Sequence, residues 1–112
     1  MAVFFKEFNI IKILEYQAFE IWEEIGVSNE VTLSLNYENG YIEVRLANPK
    51  EGKENCIIGV LPQEESKIIK YFLAANWKDV FKCWICKKDD NLQYDQRLHI
   101  LVHINENQKT SE

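Results

Sequence analysis

The chain has 112 residues, 46% of them hydrophobic, with six Phe, five Tyr and three Trp. This length and composition predict one globular domain and exclude a disordered chain. The formal net charge of −5 excludes the broad basic surface that indiscriminate nucleic-acid binding needs, but it leaves room for a local basic groove. We expect a single domain over residues 1–105, followed by a polar tail over 106–112.

The sequence predicts neither a membrane span nor a signal peptide. No apolar run approaches the ~20 residues that a membrane span needs, so no membrane partner is expected. The N-terminal apolar stretch is interrupted by Lys6 and Glu7 and lacks a basic leader and a small-residue cleavage site, which argues against a signal peptide. Three Cys, an odd number, fit reduced thiols, and the predicted location is the cytoplasm.

The N-terminal half predicts a strand, a helix and a hairpin. The apolar, β-branched segment NIIKIL, residues 9–14, predicts the strand. Apolar residues at helical spacing predict a helix over Ala18–Ile25, with Gly26 as its C-terminal cap. In VTLSLNYENGYIEVRL, the pair Asn39–Gly40 is typical of a two-residue type I′ turn between two strands.

The predicted hairpin has a defined register. A two-residue turn at Asn39–Gly40 pairs Leu35 with Val44 and Leu33 with Leu46. The apolar residues of both strands then share one face, and a slip by one residue would destroy this agreement. The opposite face is polar and carries Thr32, Ser34, Asn36, Glu43 and Arg45.

The C-terminal half predicts a short strand, a second helix and two final strands. NCIIGVL, residues 55–61, predicts the short strand, after which Pro62 begins the helix and Asn76 ends it. DVFKCWIC, 79–86, and RLHILVHI, 97–104, alternate with period two and predict the last strands. Short, mostly antiparallel strands closed by two short helices indicate a mostly β, α+β fold, a small barrel or curled sheet.

Cys83, Cys86, His99 and His103 have the spacing of a two-Cys, two-His zinc finger. Cys residues three apart on a strand point to opposite faces, and His residues four apart lie ~13 Å from each other. Because the ligands of one zinc must all lie ~2–2.3 Å from the ion, we predict no metal site and no cofactor. Redox chemistry at the Cys-x-x-Cys pair is not expected either, since it needs a helix N-terminus.

Catalytic motifs are not found in the sequence. No Ser, His and Asp cluster stands in a recognisable elbow, and no Gly-rich loop precedes a helix to hold phosphate. Glu64 and Glu65 are interpreted as charges at a helix start rather than as catalytic carboxylates. The chain is therefore predicted not to be an enzyme.

The order and spacing of several motifs resemble a HIRAN domain over roughly Phe8 to Ile104. NIIKILEY matches the family's first strand with its aromatic residue, Tyr16, and FEIWEEIGVSNEVTLSL matches the next helix and strand. YIEVRL takes the place of the Ala-Ile-x-Val strand, IGVLP matches the Gly-aromatic-x-Pro element, and SKIIKYFLAANW matches the second helix. The resemblance implies an OB-like β-barrel with two helices, found in DNA-remodelling enzymes and free-standing bacterial proteins. It also implies a role in holding the 3′ end of single-stranded DNA.

The chain departs from the family's end-binding motifs. Leu14 and Glu15 stand in place of an Arg–aromatic pair, and Val60 stands where an aromatic residue or His is usual. The Asn-Pro-Tyr-Asp turn is shortened to YENGY, with Tyr37 and Tyr41 as the nearest aromatic residues. Replacing Arg by Leu removes a phosphate contact and the Glu adds repulsion, so we expect weak binding with little preference for a free 3′ hydroxyl.

Two functions of different class remain open. The first is a nucleic-acid-binding module with five candidate contact residues on a barrel face: Tyr16, Tyr37, Tyr41, Arg45 and Trp84. The alternative role of each aromatic residue is packing in the core or the hairpin. The second function is a diverged protein-interaction domain, or one that homodimerises through a strand edge. The expected partner is therefore single-stranded DNA or a DNA-processing protein.

Overall fold

The computed structural model describes residues 2–105, and the expected tail over 106–112 lies outside this range. Six strands form one antiparallel sheet: β1 Ala2–Asn9, β2 Glu30–Leu35, β3 Ile42–Leu46, β4 Gly59–Val60, β5 Phe81–Lys88 and β6 Leu98–Asn105. Their spatial order is β1-β6-β5-β2-β3-β4. The helices are α1 Lys67–Ala74 and four 3-10 helices, Ala18–Glu20, Trp22–Glu24, Lys78–Val80 and Tyr94–Gln96. No helix in this part of the chain is long and apolar enough to cross a membrane.

The sheet curls until its two edges meet. Beyond β1, the backbone N–H of Ile11 donates to the carbonyl oxygen of Val60 in β4 at 2.8 Å, and the reverse bond is 3.1 Å long. Because β1 and β4 are the two outer strands, this bridge joins the edges of the sheet at one point. The predicted mostly β, α+β fold with a small antiparallel, barrel-like sheet is confirmed.

The interior of the curled sheet is filled by side chains from alternate strand positions. Leu98, Ile100 and Val102 of β6 are buried as predicted, and so are Cys83 and Ile85 of β5. The intervening residues of both strands lie on the outer face, because successive side chains of a strand point to opposite sides. The two final strands therefore confirm the period-two interpretation.

The β2–β3 hairpin has the predicted faces but a different register. Leu33 pairs with Val44, and Leu35 pairs with Ile42. The predicted pairing of Leu35 with Val44 is thus wrong by two residues. A shift of two residues leaves every side chain on its predicted face, so the hydrophobic pattern cannot distinguish the two registers.

Asn36 explains the longer hairpin loop. Its backbone N–H donates to the carbonyl oxygen of Tyr41 at 2.9 Å, which closes a loop over residues 37–40. Its side-chain Oδ1 accepts a hydrogen bond from the backbone N–H of Glu38 at 2.9 Å. Only Gly40 in this loop has a positive φ, of +78°, so the predicted type I′ turn, which needs two such residues, is wrong.

The predicted first α-helix, Ala18–Ile25, is absent and is replaced by two successive 3-10 helices. The helical conformation is interrupted between them at Ile21, where φ is −127° and ψ is 25°. Apolar residues three and four apart are still buried in this segment, so the spacing that suggested an α-helix is satisfied by tighter turns. The left-handed residue that follows is Ser28, with φ +82°, so the prediction of Gly26 as the cap is wrong.

The second predicted helix forms and ends where predicted, but it begins at Lys67 rather than at Pro62, so the prediction that Glu64 and Glu65 lie in its first turn is wrong. The backbone N–H of Trp77 donates to the carbonyl oxygen of Phe72, and that of Asn76 donates to Leu73, both at 2.9 Å. Asn76 itself has a φ of +65°. This pair of bonds around a left-handed residue is a Schellman motif, which satisfies the last carbonyl groups of α1.

The first and fourth strands differ from their predicted extents. The segment 9–14 is mostly irregular, because β1 ends at its first residue, Asn9, and Lys12 adopts a φ of +60°. This segment places both Ile10 and Ile13 in the core, whereas on a strand residues three apart would face opposite sides. The predicted strand over 55–61 is reduced to the two residues of β4.

Candidate nucleic-acid interface

The five residues predicted as contacts do not form one site. Trp84 lies on the outer face of β5, where its ring stacks on His103 with 4.6 Å between centroids and 18° between planes. Arg45 lies on the outer face of β3 and donates to Ser34 Oγ at 2.7 Å and to Glu43 Oε1 at 3.3 Å. Both side chains are engaged by neighbours, and β2 lies between their strands.

Two of the three predicted tyrosines influence the same lysine. Tyr37 stands apart in the hairpin loop, where 75% of it is exposed. Tyr41 and Tyr16 both lie near the ammonium group of Lys12, whose pKa is raised chiefly by the charge of Glu15, then by Tyr41 and to a smaller degree by Tyr16. Lys12 Nζ lies 5.4 Å from the Tyr41 ring centroid and 3.5 Å from Glu15 Oε2.

Tyr41 lines a groove of about 560 Å³ between the turn after β1 and the loop before β6. Asp95 fastens these two segments together: its Oδ1 accepts a hydrogen bond from the backbone N–H of Lys12 at 3.0 Å, and its carbonyl oxygen accepts one from Asn9 Nδ2 at 2.8 Å. The groove walls include Lys12, Leu14, Glu15, Tyr41, Tyr94 and Asp95.

Three aromatic rings from distant parts of the chain meet beside the groove. The ring centroids of Phe19 and Trp22 are 4.8 Å apart with 30° between their planes, and Tyr94 meets Phe19 edge-on at 5.8 Å. We call these three residues the aromatic cluster. Phe19 and Tyr94 are 40% and 44% exposed, so the cluster is on the surface. Because Tyr94 also lines the groove, the groove and the aromatic cluster are continuous.

Two cations lie over the aromatic cluster. The guanidinium carbon of Arg97 is 4.5 Å from the ring centroid of Tyr94 and 5.9 Å from that of Phe19. Lys88 Nζ is 4.9 Å from the ring centroid of Trp22 and donates to its carbonyl oxygen at 2.6 Å. Neither cation forms a salt bridge with another residue of the described range 2–105. Their charges are therefore available to an anionic ligand.

Carboxylates moderate the positive charge of this surface. Asp90 accepts a hydrogen bond from Trp22 Nε1 at 2.8 Å and so holds that ring in place. Glu15 pairs with Lys12, and Asp95 is engaged by backbone and side-chain donors of the opposite wall. The surface combines exposed rings with individual cations rather than with a continuous basic stripe. Such a surface favours salt-sensitive binding of modest strength.

The aromatic cluster was not found from the sequence. The spacing of Phe19 and Trp22 predicts one face of an α-helix, and Tyr94 and Arg97 lie in a polar segment with no periodicity. The available signal was the spacing of three residues between Phe19 and Trp22, although the break at Ile21 puts them in two separate 3-10 helices. Their contact with Tyr94 depends on the folded chain and has no local signature.

The residues of the zinc-finger pattern have separate roles in the sheet. Cys83 is buried in the core, and burial raises its pKa to about 12. Cys86 lies at an irregularity in the β5–β6 pairing, His99 Nδ1 lies 2.6 Å from Glu7 Oε2, and His103 belongs to the ring stack described above. Within residues 2–105, no group of three or more His, Cys, Asp or Glu side chains is arranged to hold a metal ion.

Comparison with protein-family models, with curated proteins and with solved structures gave no match to this chain. The chemistry of the groove and the aromatic cluster is therefore the basis for inferring a ligand. Exposed rings and fixed cations on one surface suit an extended ligand that carries both aromatic groups and negative charge.

Proposed function

We propose that this chain is a non-catalytic module that binds single-stranded DNA across the groove and the aromatic cluster. The observation that carries the proposal is the position of Tyr94, which lines the groove with Tyr41 and also contacts Phe19 and Arg97. Rings and cations therefore alternate along one surface. Single strands bind such surfaces by stacking bases on the rings while cations neutralise phosphates.

The resemblance to HIRAN domains supports the same surface. Leu14 and Glu15, at the positions of the family's Arg–aromatic pair, line the groove together with Tyr41. Leu and Glu do not replace a phosphate contact from Arg, and Glu15 also pairs with Lys12. We therefore expect weak affinity that falls as the salt concentration rises.

Fluorescence anisotropy with a short labelled oligothymidine tests the proposal. Tyr94→Ala and Tyr41→Ala should each weaken binding by about 1–3 kcal/mol, roughly fivefold to 150-fold, because each removes a stacking surface. The matched control is Tyr71→Ala, which removes a tyrosine that is 69% exposed on α1, outside the groove and the aromatic cluster. Wild-type protein that does not bind at low salt, or three variants with equal effects, would overturn the proposal.

A second candidate function is homodimerisation through the outer edge of β1. Within residues 2–105, β1 pairs only with β6, apart from the bridge that follows it. Val3 and Phe4 on this strand are 56% and 55% exposed. An outer strand with exposed apolar side chains can pair with the same strand of a second copy. Light scattering after gel filtration would then show a concentration-dependent dimer that Phe4→Lys abolishes, whereas a monomer at every concentration would exclude this candidate.

A further inference from the structure

Arg97 is anchored at its backbone and at Nε. Its backbone N–H donates to the carbonyl oxygen of Tyr94 at 3.3 Å, and its own carbonyl oxygen accepts a bond from the Asp89 N–H at 3.0 Å. Nε donates to the carbonyl oxygen of Leu92 at 2.8 Å. Both Nη atoms are without a hydrogen-bond or salt-bridge partner among the residues that the structure describes. Their N–H groups are therefore available to a ligand.

The aromatic cluster orients this free end of the guanidinium. The ring centroids of Tyr94 and Phe19 lie 4.5 and 5.9 Å from its guanidinium carbon, and cation–π contacts of this kind restrict the position of the group. An arginine fork that is already oriented loses little conformational entropy when it binds, and its paired N–H donors match the oxygens of a phosphate.

The other cations of the surface offer fewer unengaged donors. Lys12 pairs with Glu15, and Lys88 donates to the carbonyl oxygen of Trp22. Arg45, the other arginine of the chain, uses its Nη atoms on Ser34 and Glu43 at the outer face of β3. Arg97 thus combines a fixed position with unoccupied donors.

We propose that Arg97 is the principal phosphate-binding residue of this surface, and that it holds the phosphodiester next to a base stacked at Tyr94. The proposal rests on the proposed function, since it names the backbone contact of the same single-stranded ligand. Tyr94 belongs both to the groove and to the support of Arg97, so one nucleotide can use its base and its phosphate at adjoining points. The alternative role of Arg97 is purely structural, as a clamp on the loop through Leu92.

The salt dependence of oligothymidine binding separates these roles. Loss of one phosphate contact in Arg97→Gln should reduce the slope of log Kobs against log salt concentration by about 0.7 and weaken low-salt binding about tenfold or more. Arg97→Lys keeps the charge but loses the fork, so it should retain the slope and recover part of the affinity. The charge-matched control is Lys82→Gln, at the far end of β5 and about 20 Å along the strand from Lys88, which should change neither quantity.

Each outcome decides the proposal. If wild-type protein binds and Arg97→Gln keeps the wild-type slope and affinity, the phosphate role is overturned while the proposed function stands. Equal losses of slope in Arg97→Gln and Lys82→Gln would mean long-range charge and would also overturn it. If wild-type protein does not bind, both proposals fall.

If Arg97→Gln does not fold, oligonucleotides with single neutral methylphosphonate linkages, tested on wild-type protein and Arg97→Lys, should show one linkage whose neutralisation removes the same slope. If no linkage does so, Arg97 does not bind phosphate.

Discussion

Ile11 and Val60 exchange two backbone hydrogen bonds, of 2.8 and 3.1 Å, and these bonds join the two edges of the sheet. Ile11 also lines the groove, so closure of the sheet and the shape of the groove are coupled. The close approach depends on Gly59. A Cβ at that position would lie 2.8 Å from the carbonyl oxygen of Ile11 and would overlap the side chain of Ile10.

Gly59→Ala is expected to destabilise the protein by about 1–3 kcal/mol, because the added methyl group overpacks the point where the sheet closes. Gly26→Ala is the matched control, since its Cβ would meet nothing closer than 3.5 Å. Urea unfolding monitored by fluorescence gives both free energies. Equal stabilities for the two variants would show that the edges of the sheet do not meet as described.

Asn36→Ala should cost about 1–3 kcal/mol of unfolding free energy. The change removes the acceptor for the Glu38 backbone N–H and the donor that Asn36 Nδ2 provides to Glu43 Oε2 at 2.8 Å. Glu43 is only 8% exposed, so its carboxylate would lose one of its few partners. The control is Asn48→Ala, at an exposed position whose side chain makes no hydrogen bond within residues 2–105. A loss no larger than that of the control would contradict the four-residue loop.

Cys83 should make the protein less stable as the pH rises from about 9 to about 12. Burial raises the pKa of this thiol from 9.0 to about 12, so above pH 9 the unfolded chain binds fewer protons than the folded protein. The contribution to the slope of unfolding free energy against pH is at most about 1.4 kcal/mol per pH unit. Subtracting the unfolding free energies of Cys83→Ala, measured over the same pH range, isolates the contribution of Cys83 from those of the other groups that titrate between about pH 9 and 12. Identical slopes in wild-type protein and variant would be the contrary result.

Treatment with a metal chelator should leave the fold unchanged. Cys83 faces the core and the two histidines are engaged with other side chains, so the four residues of the zinc-finger pattern do not surround a common point. Protein purified without chelator should contain no stoichiometric zinc by elemental analysis, and EDTA should not shift its melting temperature. One zinc per chain, lost together with the fold, would show the opposite.

Phosphorylation of the 3′ end of an oligonucleotide should leave its affinity nearly unchanged. Leu14 and Glu15 supply no donor fork to the groove wall, and stacking on Tyr41 and Tyr94 does not depend on a terminal hydroxyl. Anisotropy titrations with matched 3′-hydroxyl and 3′-phosphate oligonucleotides provide the measurement. Tight binding that is lost on phosphorylation would reveal an end-binding site despite these residues.

The local sequence pattern was sufficient to predict which faces of several strands are buried and where α1 ends. Alternation with period two placed the core and outer faces of β5 and β6, and the faces of the hairpin, correctly. Asn76 was identified as the end of α1, because a left-handed residue after a helix has a recognisable composition. These features depend on neighbours in the chain, which the sequence displays directly.

Tertiary structure decided the register of the hairpin, the turn at Lys12 and the aromatic cluster. A shift of two residues preserves the hydrophobic pattern, so the loop built around Asn36 determined the pairing. The 3-10 helix that carries Phe19 packs against the loop that carries Tyr94. These two segments are distant in the chain, so no sequence spacing predicts their contact. Periodicity specifies which side of an element is buried, but it does not specify which distant residue lies opposite.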